Sequence, residues 1–191
     1  MPGDVNVRVL AVSDDLSLSW TKGALQRLSE VKLDHGSLQL QLDSGVKLEV
    51  SAPVHLRLGD SMHATLLDGG VTADVGEFGK GFVIDTASAR VVDLGTRFGV
   101  AVGKDGETDV AVFHGKVEVV GKAQPDMPAS LVAGQAVRVA PRSAIRRLIN
   151  ISTRGEVFSV MAPLPADALV TSVTDNVDDG GNYSFYTLQH R

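Results

Sequence analysis

Gly81-Phe82-Val83-Ile84-Asp85-Thr86-Ala87-Ser88-Ala89-Arg90-Val91-Val92-Asp93-Leu94-Gly95-Thr96-Arg97-Phe98-Gly99-Val100-Ala101-Val102 decides how this chain folds. Gly103-Lys104-Asp105-Gly106-Glu107 follows, then Thr108-Asp109-Val110-Ala111-Val112-Phe113-His114-Gly115-Lys116-Val117-Glu118-Val119-Val120-Gly121. Apolar residues recur at every second position: Phe82 and Ile84; Phe98, Val100 and Val102; Val110 and Val112; Val117 and Val119. That period places each set on one face of a pleated strand. Glycine or Asp-Gly interrupts the runs at short intervals, which predicts about four consecutive strands joined by tight turns. Asp105-Gly106 is the strongest hairpin signal, since both residues tolerate the positive φ of a type I′ turn.

The same alternation extends outward. Val5 to Val12 reads as a first strand, and Leu38, Leu40 and Leu42 share one face. Asp43-Ser44-Gly45 turns the chain before Val46, Leu48 and Val50. Pro53 suits a strand start or an edge, because it has no N–H to donate. Val54, Leu56 and Leu58 end at Gly59-Asp60; Met62, Ala64 and Leu66 end at Asp68-Gly69-Gly70; Val71, Ala73 and Val75 close the block, and a glycine-rich loop spans 76–81. Residues 45–76 resemble 81–121 in layout, a weak internal repeat whose two passes would stack face to face. Gly23 to Ser29 reads as one helical turn, and Trp20 as a filler of the core. Val137 and Val139 predict one more strand, and Pro141 to Asn150 a short helix opened by proline. Gly155 to Val160 and Ala168 to Val173 read as strands, Asp175 to Asn182 as an acidic loop. The ending Tyr183 to Arg191 reads as cut from a longer protein, and Met1-Pro2-Gly3 as an added start. These signals predict an all-β fold of two packed antiparallel sheets, a jelly-roll-like sandwich, with a β-solenoid-like stack as the alternative. The expected organisation is an N-terminal strand and lead-in over 1–35, a β domain over 36–140, and a C-terminal extension over 141–191 that packs on the domain or leads to a further region.

A chain of 191 residues can bury one sizeable core. The net charge of −5, with both signs interspersed, argues against a nucleic-acid or anionic-membrane partner. Aromatic content of 5% weakens a carbohydrate-stacking role. With no cysteine, disulfides, thiolate nucleophiles and cysteine zinc sites are excluded. No apolar run approaches a membrane span, and no signal-peptide pattern opens the chain.

Few residues carry a signature of chemistry. His35, His55, His63, His114 and His190 lack the i+2 or i+4 spacing of metal ligands. His55 and His63 lie in adjacent predicted strands and would meet across a hairpin, but two ligands do not make a zinc site. His114-Gly115 reads as a turn. Nothing matches a Gly-x-Ser-x-Gly elbow or a phosphate-binding loop. Asp14-Asp15 and Asp178-Asp179 fall in predicted loops, and a glycosidase would need carboxyls facing across a cleft. Residues 175–182 are rich in oxygen ligands but lack EF-hand spacing. Arg138, Arg142, Arg146, Arg147 and Arg154 form the basic patch, read as a solvated helix face or a contact for an acidic partner. The expectation is no catalysis, no cofactor and no metal.

The stretch 81–100, with Thr108 to Phe113, Gly115-Lys116-Val117-Glu118-Val119 and Leu131-Val132-Ala133-Gly134-Gln135-Ala136-Val137, resembles the FecR domain family. The resemblance runs from Trp20 to Val139, in the form found in planctomycete-type bacteria. Ser51-Ala52-Pro53 stands where many members carry Gly-Pro-Ala. The resemblance implies an extracytoplasmic signal-receiving domain of an anti-sigma or transmembrane regulator, in the periplasm or on the outer side of the inner membrane. It implies contact with a protein partner, such as a transporter signalling domain or another envelope protein, and a membrane only through segments outside this chain. The rival reading is a carbohydrate- or cell-wall-binding module of a surface protein. Asp93, Leu94, Gly95, Thr96, Phe98, Gly99, Gly115 and Gly134 carry the family motif. Their expected role is structural: glycines for close strand approach, Asp93 and Thr96 for bonds to turn backbone. Strand edges open to a partner are expected near Val5 and Pro53.

Overall fold

In the computed structural model the period-2 runs are strands. Residues 4–16, 19–103, 105–142 and 145 are described in full, and 146–148, 151–152, 170–174, 176–177, 183–184 and 187–188 as backbone. The strands are β1 (Val5–Val12), β2 (Leu25–Leu28), β3 (Glu30–Leu33), β4 (Ser37–Leu42), β5 (Lys47–Asp60), β6 (His63–Asp74), β7 (Val83–Asp85), β8 (Ala89–Asp93), β9 (Arg97–Val102), β10 (Thr108–His114), β11 (Lys116–Gly121), β12 (Ala129–Val132), β13 (Ala136–Val139) and β14 (Arg146–Leu148). Short 3-10 helices occupy Asp14–Leu16 and Glu77–Gly79.

The all-β class is as expected, but the two sheets are one. All fourteen strands belong to a single sheet, which is not closed. It divides into two leaves because β5 and β6 are long and change partners midway. Lys47–Ser51 of β5 pairs with β4, and Glu30–Leu33 pairs with the Val54–Arg57 half. In β6, Asp74 to Gly69 pairs with β9, whereas His63–Thr65 pairs with β7, in parallel. The first leaf thus runs β12-β11-β8-β7-β6-β5-β3, and the second runs β14-β13-β10-β9-β6-β5-β4-β1-β2. Pro53 sits at the bend, inside a continuous strand rather than at its start, where the β5–β6 register shifts between Ser51 and His55. Gly69 faces it across the hairpin with φ 76°, and a Cβ there would lie 2.0 Å from the Pro53 carbonyl oxygen. Only a glycine lets the two backbones approach this closely.

The alternating residues face one core. Leu38, Leu40, Leu48, Leu56, Leu66, Phe82, Ile84, Phe98, Val100, Val110, Val112, Val117, Val119 and Leu131 are buried in a single cluster drawn from both leaves. Each such side chain contributes about 1.5–3 kcal/mol by leaving water. Trp20 is half-buried against it, as expected. The leaves are also tied by buried hydroxyls. Thr86 and Ser88, in the β7–β8 turn of the first leaf, each bond Thr108 of the second at 2.7 Å, and Ser88 Oγ donates to the Val139 carbonyl at 3.0 Å.

Several local expectations fail, each because a non-local pairing wins. Gly23 to Ser29 is not a helical turn: Leu25–Leu28 pairs with β1. Pro141 to Asn150 is not a helix either; 141–142 is a turn, and Arg146–Leu148 adds to the edge of β13. The stretch 81–121 holds five strands, and they are not a simple meander, since β11 pairs with β8 and β12 rather than with β10. The proposed repeat also dissolves, because β6 runs unbroken through Asp68-Gly69-Gly70. The 103–107 hairpin closes one residue early: Gly106 N–H donates to the Gly103 carbonyl and Gly103 N–H to the Glu107 carbonyl, both 2.9 Å. Gly106 takes the left-handed conformation, φ 75°, so the loop is a three-residue one rather than a two-residue type I′ turn. Val170–Thr174 forms a strand near the expected place, pairing with Ile151–Ser152 and Thr187–Leu188. Asn176–Val177, within the expected acidic loop, pairs with Tyr183–Ser184. The strand expected over 155–160 lies outside the described residues, as do Arg154 and His190.

The free edges also differ from expectation. β1 is paired on both sides, by β2 and β4, and Pro53 lies in the interior of the sheet. Among the described strands, β2, β3, β12 and β14 end the leaves. The β12 edge is plugged. The Gln135 backbone N–H donates to the Val132 carbonyl, and Gln135 Oε1 accepts the Val132 N–H, each at 3.0 Å. Gln135→Ala frees that N–H at the edge. The expected result is a loss of about 0.5–1.5 kcal/mol, read by urea denaturation, with a concentration-dependent rise in apparent mass by light scattering.

Candidate functional site

The chain crosses between leaves three times in the region of the motif, and the crossings meet. Leu94-Gly95-Thr96 carries β8 to β9, Gly115 carries β10 to β11, and Ala133-Gly134-Gln135 carries β12 to β13. Gly95, Gly115 and Gly134 have φ of 99°, 79° and 84°, the left-handed region that lets a strand turn out of one leaf into the other. Hydrogen bonds join each crossing to the next. Leu94 N–H donates to the Lys116 carbonyl at 3.1 Å, and Thr96 Oγ1 donates to the same carbonyl. Ala133 N–H donates to the Gly115 carbonyl at 3.1 Å, and Gly134 N–H to the Val112 carbonyl at 2.9 Å. A Cβ at Gly115 would lie 2.3 Å from the Gly95 carbonyl oxygen, so the first two crossings are in backbone contact. Phe98 is fully buried in the core, and Gly99 pairs with Thr72 and Ala111.

Asp93 anchors the first crossing. Its Oδ2 accepts the Gly95 N–H at 2.7 Å, and its backbone bonds Gly81 and Phe82. The carboxyl is fully buried, and Oδ1 has no hydrogen-bond partner among the described residues. Burial raises its pKa; the polar groups of Thr96, Gly95 and Gly81 around the carboxyl pull the other way and do not cancel it. The folded chain therefore holds this proton more tightly than the unfolded chain. Its contribution to stability is full below the ordinary carboxyl range and is lost as pH rises through the folded value. Asp93→Asn keeps an acceptor for Gly95 and removes the titration. The expected result, in urea denaturation from pH 4 to 7, is a smaller fall of stability with pH than in the wild type.

Beside this corner lies an open groove of about 740 Å³, lined by Asp74, Glu77, Lys80, Leu94, Arg97 and His114 among others. The neighbouring Phe78 is 94% exposed and Leu94 38%. The lining charges have both signs, so the groove does not select an ion of one charge. It can offer Leu94 and several hydrogen-bonding groups to a protein surface, with exposed Phe78 next to Glu77 in the chain.

Residues 30–118 match the family model described as FecR protein. This stretch, just under half of the chain, is similar to a FecR domain. The match contains the motif from Asp93 to Gly115, while Gly134 lies beyond it. Two crystal structures of a candidate anti-sigma factor from Parabacteroides distasonis resemble the chain. Each is 27% identical to it, with TM-scores of 0.52 and 0.51 over 63% and 62% of this chain. The similarity spans 59% and 58% of those chains, so the likeness reaches less than two thirds of their length. No curated protein gives a significant match.

The other polar residues stand apart from the corner. His55 and His63 do not meet: His55 lies opposite Asp68 and His63 opposite Asp60, at different levels of the β5–β6 hairpin. His55 bonds Glu30 at 3.1 Å. His63 bonds Asp85 at 2.8 Å, and Arg90 grips the same carboxylate through two nitrogens at 3.0 and 2.9 Å. Partial burial of Asp85 disfavours its charge, but Arg90 and His63 outweigh that and hold its pKa below the usual value. Among the described residues no group of three or more His, Asp or Glu is placed to hold a metal ion. No helix of the described residues is long and apolar enough to cross a membrane.

The expected arginine patch is not one surface. Arg138 is buried and donates to both oxygens of buried Asp109, at 2.7 and 2.8 Å. Arg142 lies in an exposed turn, and Arg146 and Arg147 are on β14 rather than on a helix. The Asp109–Arg138 pair was invisible in the sequence because its members lie 29 residues apart. The hydroxyl tie left one trace: Asp85-Thr86 and Ser88 interrupt an otherwise apolar run.

Proposed function

We propose that this FecR-like domain is the non-catalytic, signal-receiving part of an extracytoplasmic regulator of the anti-sigma type, and that it acts by protein–protein contact. The observation that carries the reading is the FecR match together with the likeness to a candidate anti-sigma factor. The motif residues, in this reading, hold the corner, and recognition falls to surfaces around it. The interlocked crossings support that role, because the Asp93 and Thr96 side chains bond backbone groups within them.

The test is made in the native cell with the full-length protein. Deleting the codons for residues 30–139 is expected to uncouple transcription by the cognate sigma factor from its inducer, read with a reporter gene. An unchanged inducer response would refute the reading. Saturable binding of the purified chain to a glycan array would favour the carbohydrate-binding alternative instead.

A further inference from the structure

We infer that the β2 edge is the docking strand of this domain, and that it takes an extended, acidic segment of a partner protein as an added strand. The inference rests on the protein-contact reading and names where and how that contact is made. Of the four leaf ends, two are guarded. Gln135 plugs β12, which Pro128 immediately precedes. β3 carries exposed charges of both signs, Glu30 and Lys32, with Glu30 bonded to His55. Such devices blunt an edge against pairing. β14 continues into residues outside the described set.

β2 has no such plug, and its one exposed charge is the cation Arg27. Its phase is set by the bonds Val9 N–H to the Ala24 carbonyl, 2.9 Å, and Gly23 N–H to the Val9 carbonyl, 2.8 Å. With Gln26 opposite Val7 and Leu28 opposite Val5, antiparallel alternation turns the N–H and C=O of Leu25 and Arg27 out of the sheet. Those groups are a template for one more strand. Leu25, at 69% exposure, and Arg27 share the solvent face, beside Arg8 on β1 and Lys22 in the preceding turn. Among the described residues Arg8, Lys22 and Arg27 form no ion pair, and nearby Asp43 is engaged by Asn6 at 2.9 Å. The chain is acidic, net −5, yet along its open edge it presents the cations Arg8, Lys22 and Arg27, with exposed Asp4 at the Val5 end and Asp43 beside Asn6. Like charges repel a second copy of the same edge, and an acidic strand is attracted. The fitting segment places carboxylates opposite Arg27 and Arg8 and an apolar side chain beside Leu25.

The test pans a phage-displayed library of random twelve-residue peptides on the purified 191-residue chain, followed by titration of the enriched synthetic peptides. The expected peptides carry acidic residues at alternate positions. Arg27→Glu is expected to weaken them by about tenfold or more, and raised salt to weaken them further. Leu25→Pro, which removes one outward N–H, is expected to abolish binding, and Val132→Ser on β12 to leave it unchanged. If no acidic peptide is enriched, or binding survives Arg27→Glu and Leu25→Pro in chains that still unfold cooperatively, the inference is wrong. A partner captured in the native cell that still binds both variants would leave the protein-contact reading standing and remove only this edge. A reporter response unaffected by loss of residues 30–139 would remove the reading itself.

Discussion

Gly115→Ala is expected to destabilise the domain by about 3 kcal/mol or more, from left-handed backbone strain plus a clash that only backbone movement relieves. The added Cβ meets the Gly95 carbonyl oxygen at 2.3 Å and Thr96 Cα at 3.2 Å. Neither is the end of a flexible side chain, so the crossings must separate and strain the bonds that Lys116 makes to Leu94 and Thr96. Gly45→Ala is the matched control: φ is 85°, nothing lies within 4 Å of the added carbon, and about 1 kcal/mol is expected. Urea denaturation of the two variants beside the wild type reads the difference. Equal losses would mean that conformation alone, and not the contact between crossings, makes Gly115 necessary.

The second large effect lies on the far face of the second leaf. Arg138→Met is expected to cost about 3–5 kcal/mol, because it leaves the Asp109 carboxylate buried without its bidentate partner. Asp109 and Arg138 are 5% and 8% exposed, so solvent does little to screen the loss. Replacing both, Asp109→Leu with Arg138→Met, is expected to recover most of the stability, since the orphaned charge then disappears. A double variant no more stable than Arg138→Met alone would show that the pair is not the source of the loss.

These two sites mark where sequence reading succeeds and where it stops. The inward residues were legible because one leaf face is apolar and period 2 is a local property: Phe98, Val100 and Val102 needed only their own spacing. The outward face of β10 misleads, since Asp109, between Thr108 and Val110, reads as a solvent-facing residue. Its partner Arg138 reads equally well as part of a basic patch, and only the β10–β13 register joins them. Leu25 and Leu28 fall three apart, as do Ile145 and Leu148, and that spacing mimics a helical turn. Pairing to β1 and β13 overrides the local preference. The motif glycines were legible as turn points from their type, but the meeting of three crossings at one corner depends on which leaf each strand joins. Strand partners such as β8 with β11 leave no mark in either strand's own residues. The docking edge was misplaced for the same reason: whether a strand ends a leaf is a property of the whole topology.

The interlocked corner is the claim on which the rest depends, and native-state hydrogen exchange tests it most directly. The amides of Leu94, Ala133 and Gly134, each donated across a crossing, are predicted to exchange only through global unfolding, with the same free energy as Val100 in the centre of β9. Exchange of these amides by local opening, far faster than Val100 and insensitive to denaturant, would contradict the account.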